Sequence, residues 1–522
     1  MKNTILFFCI ILLVTLLTNA EIALIRIENP DRDTVDYLYK NFDIAGHRPG
    51  EYLDILAGKE HIEILRDKGI NFIIRKTAQD LSEEFSRDIA GYRSYNALVK
   101  GLYSLERNYP DIVKVYALGN SKGFLYFLFG NINYIDFLHK IIVVKITNLS
   151  DITPKPALIF NGVHHAREPI GSEICFYAAK NLAQNYGNDP EITNIVDNTE
   201  IWLIPQVNPD GYKIVTESLV GNYSQSWRKN LRDNDGNNDI SPPIYGYYFP
   251  DGVDLNRNYS VGWSSSEGGP DSQTYPGPFA FSEPESFTIR NLYDRVRPVF
   301  SICFHTYAEL ILYPMGYTYN TVAPDEATLY NVGMQIHNII LNDIGRDYTV
   351  QNSADLYAAR GTSVDYFYGK NRTFAYTIEI GTQFITPQSQ ILPICQTMFN
   401  AMKYMAGRAQ KSILAGTVRD SQTQSPISAT IIIPEIDYSG TQGLLVDFQT
   451  TRAASGRFYR PLEPGTYTLN VQADGYASFS TVFTITSNNR TVVNVQLNPA
   501  SILEKEYSSE TLFSSQTYKG IF

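Results

Sequence analysis

The sequence predicts an α/β protein: a mixed, largely parallel sheet flanked by helices, with a small α+β unit before it and a small all-β sandwich after it. Three observations carry this. From Tyr92 to Ala409 short apolar runs alternate with helical patterns, the signature of a buried, mainly parallel sheet. The residues before that stretch mix short strands with amphipathic helices. After Gly416 the texture changes to alternating strands broken by turn dipeptides.

The chain opens with Met1-Lys2, an apolar run from Ile5 to Leu17, then Thr18-Asn19-Ala20, the order of a secretory signal with a small residue before the cut. The run falls short of the roughly 20 residues that cross a bilayer. Residues 1–20 are therefore expected to leave as a signal peptide. The mature chain then has no membrane span and is secreted or lumenal, the lysosome or vacuole included. Residues 21–88 form the α+β unit, with β-prone runs Ile22–Ile27 and Ile70–Ile74 and helical patterns over Asp33–Lys40 and Lys59–Lys68. It ends in a charged stretch, Lys76–Arg87, suited to a linker or a proteolytic cut.

In residues 89–412 the runs Pro156–Asn161, Ile201–Pro205, Phe300–His305 and Phe374–Glu379 are apolar enough for buried strands. Ser282-Glu283-Pro284-Glu285 opens a helix in which Ser282 can cap and Glu285 can reach back. A last long helix covers Ser389–Lys411. Residues 413–498 carry the sandwich strands Thr417–Asp420, Ala429–Pro434, Gly456–Arg460, Gly465–Val471 and Val492–Leu497, with Pro464-Gly465 and Asp474-Gly475 as turns. A polar tail, 499–522, follows.

A chain 43% hydrophobic and 19% charged can bury a large core, and a net charge of -11 argues against a nucleic-acid partner. Cys9 leaves with the signal; Cys175, Cys303 and Cys395, odd in number and widely spaced, make no disulfide framework, and Cys175 and Cys303, among apolar residues, are expected as buried free thiols, with a single bridge as the alternative. Asn148, Asn222, Asn258, Asn371 and Asn489 each begin a glycosylation sequon.

His165-Ala166-Arg167-Glu168 follows directly on an expected strand. A His and a Glu three apart at a strand-to-helix turn can face one point. Imidazole and carboxylate are both zinc ligands, and a catalytic zinc needs three protein ligands plus an open position. His305 ends the apolar strand Phe300–Phe304, and strand ends of a parallel sheet converge on one edge. His-x-x-Glu alone recurs by chance on helical surfaces. Its neighbours add Trp227-Arg228-Lys229, Gly252-Val253-Asp254-Leu255-Asn256-Arg257-Asn258, His305-Thr306-Tyr307 with Leu312-Tyr313-Pro314, Leu356-Tyr357, Gly361-Thr362-Ser363-Val364-Asp365 and Thr377-Ile378-Glu379.

In that order these motifs resemble the zinc carboxypeptidases of the digestive, A/B type, over Tyr92 to Ala409. The resemblance implies the zinc carboxypeptidase fold and one zinc ion per catalytic domain, held by His165, Glu168 and His305. Spacing to Glu168 and the family pattern both select His165 over His164. Glu379 matches the family's general base and Arg228 the arginine that stabilises the oxyanion. Asn256 and Arg257 match the pair that binds the substrate's terminal carboxylate, Tyr357 the tyrosine that closes over it, and Arg167 a residue of the outer subsites. Val364 falls where an apolar side chain selects apolar or aromatic termini; Arg360, four residues earlier, could instead attract an acidic one. The substrates implied are peptides and proteins with a free C-terminus, for a monomeric enzyme. His47, His61, His139 and His337 have no acidic or histidine partner at ligand spacing and read as surface or packing residues.

Two stretches depart from the family. Phe124–His139 interrupts a place where the family runs straight into a strand, as a retained intron or gene-model artefact would. Asp233-Asn234-Asp235-Gly236-Asn237 has a calcium-loop flavour but lacks the Glu an EF-hand needs at its twelfth position. The C-terminal unit resembles the transthyretin-like regulatory domain of another carboxypeptidase branch. Residues 21–88 look like a propeptide by position and class, so cleavage between Arg75 and Arg87 is expected to release activity.

Overall fold

The computed structural model describes residues 22–77, 80–81, 89, 91–122, 125–126, 135–136, 138–217, 226–236 and 251–500. The signal at 1–20, most of the Arg75–Arg87 cleavage region and of the Phe124–His139 insertion, the sequon at Asn222 and nearly all of the tail lie outside the described residues.

The N-terminal unit has strands β1 (Ala23–Glu28), β2 (Asp43–Arg48), β3 (Tyr52–Ala57) and β4 (Ile73–Lys76) in the order β2-β3-β1-β4. Helices α1 (Arg32–Asn41) and α2 (Lys59–Asp67) turn Val35, Leu38 and Leu65 toward Ile25, Leu53 and Ile55 in a small separate core. Asp31 caps α1 by accepting the Thr34 N–H at 2.8 Å.

The central domain is built on eight strands: β5 (Val113–Asn120), β6 (Lys140–Ile146), β7 (Ala157–Gly162), β8 (Glu200–Ile204), β9 (Phe300–His305), β10 (Leu310–Tyr313), β11 (Thr349–Asn352) and β12 (Phe374–Glu379). Their order is β11-β10-β12-β9-β7-β8-β6-β5. The centre, β12-β9-β7-β8, is parallel, and β6, β5 and the β10–β12 pair are antiparallel. The four central strands are apolar almost throughout because helices cover both faces. Flanking helices include α3 (Tyr95–Asn108), α4 (Ile170–Asn185), α5 (Pro190–Asn198), α6 (Pro209–Glu217), α7 (Pro284–Val296), α8 (Glu326–Ile344), α9 (Ser353–Leu356), α10 (Ser363–Asn371) and α11 (Gln388–Arg408).

The sandwich pairs two sheets. One has β13 (Ile413–Asp420) between β16 (Arg457–Pro461) and β19 (Arg490–Val492), with β20 (Val495–Leu497) also on β13; the other runs β15 (Gln449–Thr450), β14 (Thr430–Ile432), β17 (Gly465–Gln472), β18 (Phe479–Ile485). A short helix, α12 (Pro434–Asp437), leaves β14. The strand Phe479–Ile485 has no counterpart in the sequence expectation. Its outward residues are polar or exposed, so the alternation is weak.

Several expectations need correction. The capping box at α7 does not form. Pro284 occupies the first turn, Ser282 Oγ bonds Asn258 and Glu283, and Glu285 is drawn to Ser121 Oγ at 2.7 Å and the Lys122 N–H at 2.8 Å. Asn258 and Asn371 are 0% and 4% exposed, so neither sequon can accept a glycan in the folded chain, whereas Asn489 is exposed. His139 does have an acidic partner, Asp210, 2.6 Å from its Nδ1, brought there by folding rather than by sequence spacing. Cys175 and Cys303 are buried and free, as expected, and Cys395 is buried and free as well. Among the described residues no helix is long and apolar enough to cross a membrane.

Candidate metal centre and substrate cleft

β7 ends at Gly162, where a side chain would strike the Gly171 backbone at 2.6 Å; strand and α4 therefore approach closely. Val163 then takes φ 59°, a left-handed conformation costly for a β-branched residue. This turn aims His165 and Glu168 at one point, and the Ala166 N–H bonds the Arg228 carbonyl at 3.0 Å, tying the Arg228 segment to the same loop.

His305, at the end of β9, completes the group. His165 Nδ1 lies 2.8 Å from Glu168 Oε1, His305 Nδ1 2.9 Å from Glu168 Oε2, and the two Nδ1 atoms are 3.2 Å apart. All three residues are buried. Two imidazole nitrogens facing each other across a carboxylate repel as lone pairs unless a proton or a metal cation lies between them. This N₂O donor set fits a zinc ion. His165 Nε2 donates to Asp254 Oδ1 at 3.2 Å, which leaves Nδ1 as the ligand atom. Burial pushes the Glu168 carboxyl up, but the two histidines overcome this and hold it well below its usual range. His164 faces away, its Nε2 3.0 Å from the Tyr259 hydroxyl.

Glu379 ends β12 directly opposite His305 in the parallel register. Burial raises its carboxyl to about 7, with His305 pulling it down and Glu168 pushing it further up. Arg228 reaches the ligands from the other side, its Nη1 3.2 Å from His165 Nδ1 and its Nη2 donating to Asp254 Oδ2 at 2.8 Å. Asp254 thus orients both His165 and Arg228, and its Oδ1 also accepts the Asn256 N–H at 2.9 Å. In the sequence the one local signal of Asp254 is its place as cap of the 3-10 turn Leu255–Arg257, which says nothing of these contacts.

Asn256 Oδ1 accepts from the N–H and Oγ of Ser363, both at 2.9 Å, so its NH₂ is left to face a ligand. Arg257 Nη2 donates to the Tyr357 hydroxyl at 2.6 Å. Ser363 was likewise missed, because its partner is 107 residues away.

His165, Glu168, Arg228, Asn256, Arg257, Tyr357 and Glu379 line one cleft. Val364 does not: it is 3% exposed and packs in the main core. Arg167 is fully buried and bonds Asp43 of the N-terminal unit twice at 2.8 Å. Arg360 lies outside this cleft, 3.3 Å from Ser266 Oγ and 3.9 Å from Glu267. The opposite wall comes from the N-terminal unit, including Tyr39, Phe42, Asp43 and His47. Tyr39 stacks on Tyr357 with ring centroids 3.4 Å apart. The space left is about 80 Å³, well under the several hundred that hold a ligand. Elsewhere, Asp233, Asp235 and Asp251 bring carboxylate oxygens within 4.8 Å of one another, but Asp251 accepts the Asn234 N–H and Asp233 the Gly236 N–H, as a turn requires.

Residues 98–401 match the zinc carboxypeptidase family. The chain belongs to that family. Residues 413–498 match the carboxypeptidase regulatory-like domain, in agreement with the reading of the C-terminal unit. Among relatives, carboxypeptidase O of Homo sapiens is 31% identical over 274 residues, 51% of this chain and 68% of its own length. Carboxypeptidase A4 of Mus musculus is 30% identical over 260 residues, 48% of this chain and 57% of its own, so the match spans little more than half of that relative. The solved carboxypeptidase A from Helicoverpa armigera superposes with a TM-score of 0.60 at 23% identity, covering 74% of this chain and 97% of that one, which establishes the fold. As a metallocarboxypeptidase the chain falls among the hydrolases of C-terminal peptide bonds.

Proposed function

We propose that this chain removes C-terminal residues from peptides and proteins with a free C-terminus, with Glu379 as general base. The observation that carries the reading is the convergence, in one cleft, of a zinc-type ligand triad, a partly exposed carboxylate raised toward neutrality and two arginines. Zinc, when bound by His165, Glu168 and His305, supplies Lewis acidity toward water and the scissile carbonyl. Glu379 takes the proton of the attacking water and delivers it to the leaving amine nitrogen. Arg228, held by Asp254, donates to the oxygen that gains negative charge. The Asn256 amide and the Arg257 fork take the terminal carboxylate, and Tyr357 covers it.

The substrate preference we infer is for apolar or aromatic termini. Arg360, the residue that could attract an acidic terminus, has Glu267 and Ser266 beside it and lies outside the cleft, which argues against that role. We also propose that the chain is made with a cleaved signal, secreted or delivered to a lumenal compartment, and works as a monomer. Residues 21–88 act as an inhibitory prosegment: they occupy the cleft wall, bind Arg167 and stack on Tyr357.

The test is digestion of a peptide set varying only in the last residue, with and without a zinc chelator. Apolar-ended peptides are expected to be cut fastest, and chelation and Glu379→Gln are each expected to abolish cutting. Chelator-insensitive cutting, or equal cutting of C-terminally amidated peptides, would defeat the proposal.

A further inference from the structure

We infer that the C-terminal sandwich, through Arg460 and Asp437, positions the helix that orients Asn256, and so forms part of the substrate-carboxylate site. The inference rests on the reading of Asn256 as a carboxylate ligand. It starts from α10. The first residue of this helix, Ser363, holds the Asn256 carboxamide by two bonds of 2.9 Å. The helix is 9 residues long and therefore about 13 Å from end to end. Its far end closes on Arg372 in a left-handed conformation, φ 53°.

Arg372 is 2% exposed and lies between two carboxylates, one from each domain. Its Nη1 donates to Asp325 Oδ2 at 2.9 Å and its Nη2 to Asp437 Oδ1 at 2.7 Å. Arg460 of β16, fully buried, binds the same two carboxylates through Nη2, at 2.8 Å to Asp325 Oδ1 and 2.8 Å to Asp437 Oδ1. Two cations and two anions alternate, with Arg372 and Asp325 from the catalytic domain and Arg460 and Asp437 from the sandwich. Tyr368, on the last turn of α10, adds its hydroxyl to Asp325 at 2.7 Å.

The sandwich also lies flat against this end of the helix. Arg372 Nε donates to the Asp447 carbonyl at 2.9 Å, and the Asp447 N–H to the Gly369 carbonyl at 2.7 Å. A side chain at Gly369 would meet the Leu445 carbonyl oxygen at 2.8 Å. A helix this short is stiff. Fixing its last turn fixes where Ser363, and with it Asn256, stands. A surface ornament would be joined by exposed contacts; here the joining charges are out of water, where their geometry is strict. Arg460 and Asp437 are thus positioning residues that act through α10.

The test is a double replacement, Arg460→Met with Asp437→Leu, in the activated full chain. It removes one charge of each sign and leaves the Arg372–Asp325 pair balanced, so the fold is kept. With a blocked dipeptide ending in phenylalanine, KM is expected to rise about fivefold or more with kcat within about twofold, the pattern of lost ground-state binding. Zinc content should be unchanged. Added to Asn256→Ala, the pair replacement should raise KM far less than it does alone, because both act on one contact. Arg460→Lys, which keeps the charge and loses the fork, should fall between the pair variant and the native chain. A normal KM in the folded, zinc-loaded pair variant, or full additivity with Asn256→Ala, would overturn the inference. A normal KM in Asn256→Ala alone would overturn the carboxylate reading and this inference with it.

Discussion

The N-terminal unit meets the catalytic domain at the mouth of the cleft, through Asp43 on Arg167, Tyr39 on Tyr357 and the pairing of Arg48 with Glu309. The sandwich meets it through Arg460 and Asp437 on Asp325 and Arg372, and through Ile413, Ala415 and Tyr459, which belong to the catalytic domain's own core. The first unit has a small core of its own, meets the catalytic domain's apolar residues at the cleft rim through Tyr307, Tyr357 and Phe384, and covers the residues proposed to bind substrate. The second also has its own core, but it puts Ile413, Ala415 and Tyr459 inside the catalytic domain's main core and, among the described residues, lines no part of the cleft. A unit that packs at the rim of a cleft can leave without unfolding what it covers, whereas one whose side chains fill another domain's main core cannot. The two flanking units thus differ in kind: one is a cover, the other a wall.

The largest effect expected from this difference is on truncation. A chain ending at Ser412 exposes the apolar residues that Ile413, Ala415 and Tyr459 cover and opens the buried Arg372–Asp325 pair to water. It should be recovered unfolded or aggregated, without bound zinc. A chain starting at residue 89 should fold, bind zinc and cleave peptides. Soluble yield and zinc content of the two truncations decide the matter, and a folded, active chain lacking the sandwich would erase the contrast.

Next in size is the Asp43–Arg167 pair. Asp43→Asn in the uncleaved chain leaves a buried guanidinium short of a charge partner, which loosens the cover while the catalytic residues stay intact. Peptidase activity of the uncleaved chain should rise at least about tenfold, with that of the cleaved enzyme unchanged. Equal, low activity in both uncleaved chains would mean that the pair does not hold the cover. A smaller step, a few-fold gain on small substrates only, is expected for Tyr39→Ala, since an aromatic stack contributes about 0.5–1.5 kcal/mol. A gain as large on long peptides would show that Tyr39 holds the whole unit rather than Tyr357.

Much of this was legible in sequence, and the residues show why. The strands Phe300–His305 and Phe374–Glu379 form over the expected spans, because fully buried strands need continuous apolar runs and such runs are visible. The resemblance implies Glu379, Arg228 and the ligand triad, and the fold draws the three ligands together beside the cleft that Glu379 and Arg228 line. What the sequence hid are contacts between distant segments. Asp254 and Ser363 hold site residues, yet look like an ordinary cap and an ordinary helix start. Tyr39 and Asp43 sit in a unit with no motif at all. Arg460 lies on a short strand where an arginine would be expected to face solvent, and only its meeting with Asp325 and Asp437 gives it meaning. Docking chemistry is complementary between surfaces, so neither surface alone carries its signal.

The smallest effect, and the one that separates the two units without mutating either, is on pH. Burial lowers the His47 imidazole to about 4 on the inner face of the cover, where its Nδ1 lies 3.3 Å from the Tyr39 hydroxyl. Once the cover opens, His47 regains access to water and its pKa returns toward the usual 6.5. Between these values the open form binds more protons than the closed one, so closure weakens as pH falls from 6.5 toward 4. The sandwich has the opposite titration. Burial raises the Asp437 carboxyl, but Arg460 and Arg372 more than offset this and hold it below its usual value. Its contribution is therefore present above the ordinary carboxylate range and lost only below about pH 4. In mild acid the cover should loosen while the wall stands. Activity of the uncleaved chain relative to the cleaved enzyme should rise about two- to threefold from pH 7 to 5.5, because only part of the His47 shift comes from docking. His47→Gln should flatten that ratio. A ratio independent of pH in the native chain, or a melting transition that falls with it above pH 5, would show that both units loosen together and that the contrast between cover and wall is not one of charge.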